Sequence, residues 1–428
     1  MSNQIGSLKM GQKFKKTPAG EIPVDWGVAT ISDLCQVNSE VIKESTPPDT
    51  QLKYIDIASI ERTGSISIPK DMEFKDAPSR ARRIVKAGDI IVSTVRPYLK
   101  AFARVTDLSE NLIASTGFAV LRPNPNVNGS YVYQHILSDS FVKYLEGRMT
   151  GSSYPAVNSS AVAEYQMPVP TAMEQEKIGR ILSEIDTLVD KVVAEIKKTK
   201  ELKNGLMCQL FTRGIGHKKF KKTSIGEIPT GWELVELGNE CAVTKLAGFE
   251  YTKFFQYKTD GKIIALRALN IKGEELDLSD VQTIDLSVSN GLLRSKLFEG
   301  DVVMTYIGNI GDVLRIPESN RFHLAPNVAK ITPTAKYHSW FLLRALQSTI
   351  AQRQMRSLTA TTAMPSLTMQ QIRKIILPKP SLTEQDEITK ILSIAVDNIK
   401  REEEGLSKLL TLRAALMRVL LTGKVRVI

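Results

Sequence analysis

Cysteine is scarce: Cys35, Cys208 and Cys241 are the whole complement of a 428-residue chain, and only four histidines accompany them. Three thiols without paired spacing make neither a disulfide framework nor a structural zinc site, so no metal is expected and a reducing cytoplasm fits best. No apolar run reaches the ~18 residues that a membrane-spanning helix requires. The opening MSNQIGSLKMGQKF is polar and basic and lacks the apolar core of a secretory signal. Catalytic signatures are missing too. There is no G-x-x-x-x-G-K-[ST] phosphate loop, no G-x-G-x-x-G, no H-E-x-x-H and no nucleophile elbow, nor the Asn-Pro-Pro-Tyr-like tetrapeptide that amino-methyltransferases use on a flipped base. A chain without catalysis of its own is expected. Acidic residues are the minority charge, 46 against 57 Lys plus Arg, and the net charge of +11 suits a polyanionic partner such as nucleic acid.

What the sequence does have, it has twice. KFKKTPAGEIPVDWGVATISDLC at 13–35 returns as KFKKTSIGEIPTGWELVELGNEC at 219–241, so that Trp26 answers Trp232 and Cys35 answers Cys241. Farther on, Glu174-Gln175 answers Glu384-Gln385, and Leu206-Met207, Leu210 and Thr212 answer Leu416-Met417, Leu420 and Thr422. A period near half the chain is too long for a solenoid and reads as duplication of a whole unit. Each unit has a variable middle between shared ends.

In the variable middles, short β-like runs alternate with turn residues. Tyr54 to Ile60, Asp89 to Val95 and Gly117 to Leu121 take strand positions in the first unit. Lys262 to Arg267, Gly300 to Thr305 and Val328 to Thr332 take them in the second. Helical spacing marks Val132 to Leu145 and Trp340 to Gln354. The reading is a basic arm over 1–20, a mixed α/β domain over 21–170, a long helix over 171–213, a linker over 214–226, a second α/β domain over 227–380 and a second long helix over 381–428. Both helices follow a Pro-flanked entry, with Thr171 and Ser381 as N-caps and Glu174 and Glu384 at capping-box spacing.

Helices of this length, roughly 58 Å at 1.5 Å per residue for 174–212, are far longer than one domain needs. Ile178, Ile181, Ile185, Leu188, Val192, Leu202 and Leu206 form an apolar seam on the first, widened to one flank by Leu182, Val189 and Ile196, and Ile388, Ile391, Leu392, Leu409 and Leu416 form one on the second, flanked by Val396, Ile399, Leu406 and Leu410. Such seams want a partner helix. An antiparallel coiled coil related by a pseudo-two-fold, with one domain at each end, is the expected arrangement.

Basic and polar side chains cluster in the turns of each domain. The first offers Arg80, Arg82, Arg83, Lys86, Arg96, Tyr98, Lys100 and Arg104, with Ser152, Ser153 and Tyr154 in the turn after Arg148. The second offers Lys245, Tyr251, Lys253, Arg267, Arg294, Lys296, Tyr306, Asn309, Arg353 and Arg356, with Thr359 and Thr361 in the matching turn. Arg, Asn, Ser and Thr read base edges, and Lys and Arg neutralise phosphates, so these are the candidate DNA contacts.

Two variable domains, each followed by a long helix that opens Pro-x-Pro-x-x-x-Glu-Gln (Pro168 to Gln175 and Pro378 to Gln385), resemble the specificity subunit of a type I DNA restriction-modification system. The closing Leu416-Met-Arg-Val-Leu420 with Thr422-Gly423-Lys424, and the openings Gly20-Glu-Ile-Pro23 and Gly226-Glu-Ile-Pro229, are similar to that family as well. The resemblance implies that each α/β domain is a target recognition domain reading one half of a bipartite double-stranded DNA site. It implies that the helices set the spacer and dock two modification subunits, which bind S-adenosylmethionine and methylate a flipped adenine. Restriction subunits, using ATP and Mg, would join to cleave, and no cofactor is expected in this chain. A stand-alone two-headed DNA-binding regulator and a non-DNA scaffold share the same charge and duplication. The first would bind its site without a partner, and the second would show no salt-dependent DNA affinity.

Overall fold

The computed structural model describes residues 13–427 except 63, 68, 107–109 and 360–364. Residues 1–12 of the expected basic arm lie outside the described residues. From residue 14 onward the chain forms a hairpin in place of an arm. Phe14–Thr17 pairs antiparallel with Gly20–Pro23, and Phe220–Thr223 with Gly226–Pro229 repeats the hairpin, beginning inside the stretch expected to be a linker and ending in the second domain. The repeated KFKKT…GEIP sequence is that hairpin. The strands are too short and polar to announce themselves by alternation, but each turn has a glycine with positive φ.

Each α/β domain is built on two small sheets. In the first, an antiparallel sheet runs in the order Phe102–Arg104, Ile90–Ser93, Phe118–Pro123, Cys35–Val37. A second runs Lys70–Glu73, Gln51–Ile55, Leu112–Ser115, Ala81–Ile84, with a parallel pairing of Leu112–Ser115 to Gln51–Ile55. The second domain repeats both: Cys241–Lys245, Val328–Pro333, Val302–Thr305, Val313–Arg315 in one sheet, and Gln282–Ile284, Ile263–Leu266, Phe322–Leu324 in the other. Again one pairing is parallel, Ile263–Leu266 with Phe322–Leu324.

The central strands Ile90–Ser93 and Val302–Thr305 are buried at every position because they lie between two cores. Ile90 and Val92 point into a core shared with the helices, while Ile91 between them points into the core under the second sheet. Val302, Met304 and Val303 divide in the same way. A strand buried on both faces reads as a continuous apolar run. Cys35 and Cys241 sit at equivalent places in these cores, and burial raises both thiols to about 12. They are packing residues.

The long helices span Ala172–Arg213 and Leu382–Leu420. Compactness divides the chain not between the domains but through both helices. One unit comprises Met1–Val193 with Glu404–Ile428, and the other comprises Ala194–Glu403. Within the first, Ile178 and Leu182 share a core with Met417, Leu420 and Leu421, and Asp186 pairs with Arg413. Within the second, Phe211 and Leu210 share a core with Ile388 and Leu392, while Thr199 and Lys200 bond Glu402 and Glu403. In each unit the two helix segments therefore run antiparallel.

The line they bury most deeply is the flank of the expected stripe, one residue over from its seam. Ile178, Ile388 and Leu392 are buried as expected, and Ile181, Ile185, Val192, Leu206, Leu409 and Leu416 are half-buried. Leu188 and Leu202, however, are 45% and 71% exposed, and Ile391 lies at the surface. The buried line runs through Leu182 and Val189 in the first unit, and through Ile196 and Ile399 in the second. One residue along a helix is ~100° around its axis, so a neighbouring leucine faces water. Among the described residues no helix is long and apolar enough to cross a membrane.

Candidate nucleic-acid interface

The Glu-Gln pair that opens each long helix is the clamp that holds it to its domain. Thr171 and Ser381 do cap the helix N-termini, accepting the backbone N–H of Glu174 and Glu384. The carboxylates do something other than complete a capping box. Glu174, 3% exposed, accepts the indole N–H of Trp26 at 3.2 Å and is bound by the guanidinium of Arg426. Asp25 takes the other side of that guanidinium at 3.0 Å. Glu384 accepts the indole N–H of Trp232 at 2.8 Å, and both the backbone N–H of Ile215 and the ring of His217 meet its second oxygen. The adjacent glutamines tie each long helix to the N-cap of a domain helix, Gly129–Ile136 in the first domain and Ser339–Gln347 in the second. Gln175 bonds Pro170 and Asn128, and Gln385 bonds Pro380 and His338.

Close approach to the clamp requires glycine. Gly214 and Gly423 both lie in the left-handed region, and a Cβ on either would strike Trp232 and Glu384, or Pro23 and Trp26. Glu174, buried, and Glu384, half-buried, are acids made tolerable by multiple hydrogen bonds.

A second contact joins helix and domain halfway along. In the first unit Asp186 is shared by Gln134 at 2.7 Å and Arg413. In the second, Arg344 and Lys203 take the places of Gln134 and Arg413, and the acid comes from elsewhere: Glu274, in the turn between Ile271–Lys272 and Glu275–Leu276. Burial alone would raise the Glu274 carboxyl, but the charges and hydrogen bonds of Arg344 and Lys203 outweigh it and hold the group below its ordinary value.

The loops that carry the candidate DNA contacts occupy matching ground in the two domains. In the first, the loop after Ile90–Ser93 pairs with the turn after Asp139–Glu146 through a bridge of Val95 with Ala156. In the second, the loop after Val302–Thr305 meets Ser366 through Ile307. Arg96, Tyr98 and Lys100 lie on the first loop and Ser152, Ser153 and Tyr154 on the turn it meets. Tyr306 and Asn309 lie on the corresponding loop of the second domain.

Many of the candidate cations are already engaged. Lys86 pairs with Glu40, Lys100 with Asp139, Arg267 with Asp280, and Arg294 with Glu250. Lys296 is buried and donates to Asn290. Arg104 donates to Ser130, Arg80 to Tyr54, and Arg82 to a backbone carbonyl while covering Phe74. Arg83 is half-buried, and desolvation lowers its pKa. Tyr306 is buried with Lys245 above its ring, Tyr251 packs tilted against Phe255 and edge-on against Tyr257, and the Asn309 amide binds Asp312. Thr359 turns its hydroxyl back onto its own helix. Thr361 lies outside the described residues. Lys253, Arg353 and Arg356 remain exposed, and no carboxylate pairs with them among the described residues. Sequence reasoning missed Asp186, Glu274, Arg344, Arg413 and Arg426, which lie far apart in the chain. For the Trp–Glu clamp the signal was present, since both partners repeat.

Two copies of one α/β domain, each clamped by a tryptophan–glutamate pair to a long antiparallel-paired helix, define a duplicated, two-domain scaffold whose variable loops lie in equivalent places. The family model of the type I restriction modification DNA specificity domain matches this chain twice, over 23–203 and 229–411. The chain belongs to that family. It is 28% identical to the putative type I restriction enzyme MjaX specificity subunit of Methanocaldococcus jannaschii, with 97% of each chain covered. It is 27% identical to the MjaVIII specificity subunit of the same organism over 74% of this chain and 75% of that one. Among solved structures, a chain from a type I restriction-modification system is similar with a TM-score of 0.56 at 22% identity, covering 94% of this chain and 99% of that one. The S subunit of the type I system of M. genitalium also gives 0.56, at 17% identity, covering 96% and 99%. These two likenesses concern the fold.

Proposed function

We propose that this chain is the non-catalytic specificity subunit of a type I restriction-modification complex and recognises a two-part DNA sequence. The domain over 21–170 reads one half and the domain over 227–380 reads the other, while the long helices fix the spacer and dock two modification subunits. Those subunits bind S-adenosylmethionine and carry out the methylation, and restriction subunits with ATP and Mg add cleavage. One observation carries this reading: two domains of the same fold present loops of different sequence in the same place, Arg96-Pro-Tyr-Leu-Lys100 in one and Gly308-Asn-Ile-Gly311 in the other. Shared scaffold with divergent loops is what two different half-sites require.

The test is a salt titration of DNA binding by the complex. Affinity is expected to fall linearly on a log–log plot of binding constant against salt. Arg356→Ala is expected to weaken binding to all sequences alike and to reduce the magnitude of the slope by about one. An affinity that does not respond to salt would favour a scaffold that binds no DNA. Unchanged slope in the variant would remove Arg356 from the interface.

A further inference from the structure

Among the described residues six other than glycine have positive φ, four of them asparagines. The other two are Arg96 (φ 47°) and Lys100 (φ 51°), which bracket the short turn Pro97–Leu99 in the loop between Ile90–Ser93 and Phe102–Arg104. The equivalent loop of the second domain has glycines at its positive-φ positions, Gly308 (φ 79°) and Gly311 (φ 89°). Glycine adopts this conformation without steric cost, whereas a side chain with a Cβ is strained there. The first domain bears that strain at two positions.

At Lys100 the structure supplies a reason, because its ammonium pairs with Asp139 at 2.8 Å and fastens the loop to the helix behind it. Arg96 is tied to the neighbouring turn without an ion pair. Its guanidinium lies over the ring of Tyr154, 4.9 Å from the centroid, and Nη2 donates to the carbonyl of Ser153 at 3.1 Å. No carboxylate takes it among the described residues, and Tyr154 is itself 73% exposed. The half-buried guanidinium is therefore held in one orientation, its Nε buried without a partner, and Nη1 and the second Nη2 hydrogen have no acceptor among the described residues.

Resting on the reading that this domain binds DNA, we propose that Arg96 is a base-reading residue of the first domain, its fork recognising O6 and N7 of a guanine in the major groove of the first half-site. A phosphate would be served by any flexible cation. A stacked, strained, planar fork suits a directional two-atom acceptor, which in the major groove is guanine. The second domain has glycine at this place, so Arg96 is also a difference between the two domains, as a residue that distinguishes two half-sites must be.

Mapping of modified bases in cells that carry the full chain with its modification subunits tests this. Arg96→Gly relieves the backbone strain while removing the fork, and Arg96→Lys keeps the charge without it. In both, one G·C position of the first half-site is expected to become degenerate, with discrimination there falling by ~10-fold or more, and the second half-site is expected to stay as it was. Tyr154→Ala, which frees the fork, should relax the same position in part. An unchanged motif with Arg96→Gly, or an equal loss at every position of both halves, overturns the proposal. If the unaltered chain yields no two-part motif, the DNA-reading function fails as well, and Arg96 falls with it.

Discussion

Leu182→Asp is expected to unfold the first unit, whereas Leu188→Asp, six residues along the same helix, is expected to change stability by no more than about 0.5 kcal/mol. Leu182 is fully buried in the core that contains Trp26, Ile178, Met417 and Leu420. Removing a buried leucine costs ~2–5 kcal/mol. Leaving a carboxylate in its place adds desolvation, or forces the acid to protonate, for several kcal/mol more. The sum is on the order of the whole stability of a domain. Leu188 is nearly half exposed, and an aspartate there meets water. Urea denaturation followed by circular dichroism separates the two outcomes. Equal loss in both variants would restore the seam that the sequence alone suggested and overturn the face seen here.

Glu274→Ala is expected to cost ~3–5 kcal/mol, because it leaves the guanidinium of Arg344, 5% exposed, beside the ammonium of Lys203 with no acid between them. Breaking a buried pair from one side costs far more than the pair contributes. Arg344→Gln supplies the control, since glutamine is what the first domain has at the equivalent position, Gln134. In that background the cost of Glu274→Ala should be clearly smaller, a coupling that a double-mutant cycle of urea midpoints measures. The pH dependence has a definite sign. The Glu274 carboxyl is held below its ordinary value of 4.5 in the folded state, so its contribution is fully present above that value and is lost as pH falls through the lowered one. Equal midpoints for the wild-type chain and the alanine variant at neutral pH would show that the cluster does not hold the domain to the helix.

How much of this could be seen in the sequence depends on the range of the interaction. The duplication, the two α/β domains and the long helices were legible because they rest on repeats and on local periodicity. The burial of Ile90 to Val92 was legible as an apolar run, though not its division between two cores. Which line of the helix stripe is most deeply buried was not legible because both helices carry broad apolar stripes, and what chooses the line is packing against the domain as well as the partner helix. The Glu174 carboxylate reads locally as a capping-box residue. Its actual partners, Trp26 and Arg426, lie 148 and 252 positions away, and no local spacing rule reaches that far. Among the candidate DNA contacts, residue type was informative about surface and little else. Lys86, Arg267 and Arg294 looked the same in sequence as Arg353 and Arg356, but nearby carboxylates engage the first three and not the others.

The most direct test of the central claim is modified-base sequencing of a genome in cells that contain the modification subunits with and without this chain. Two unlike half-sites separated by a fixed gap should be methylated only when the chain is present, and exchanging residues 21–170 for the corresponding domain of a relative should change one half and leave the other half in place. Methylation of the same motif without the chain, or a change in both halves after exchange of one domain, would contradict the account.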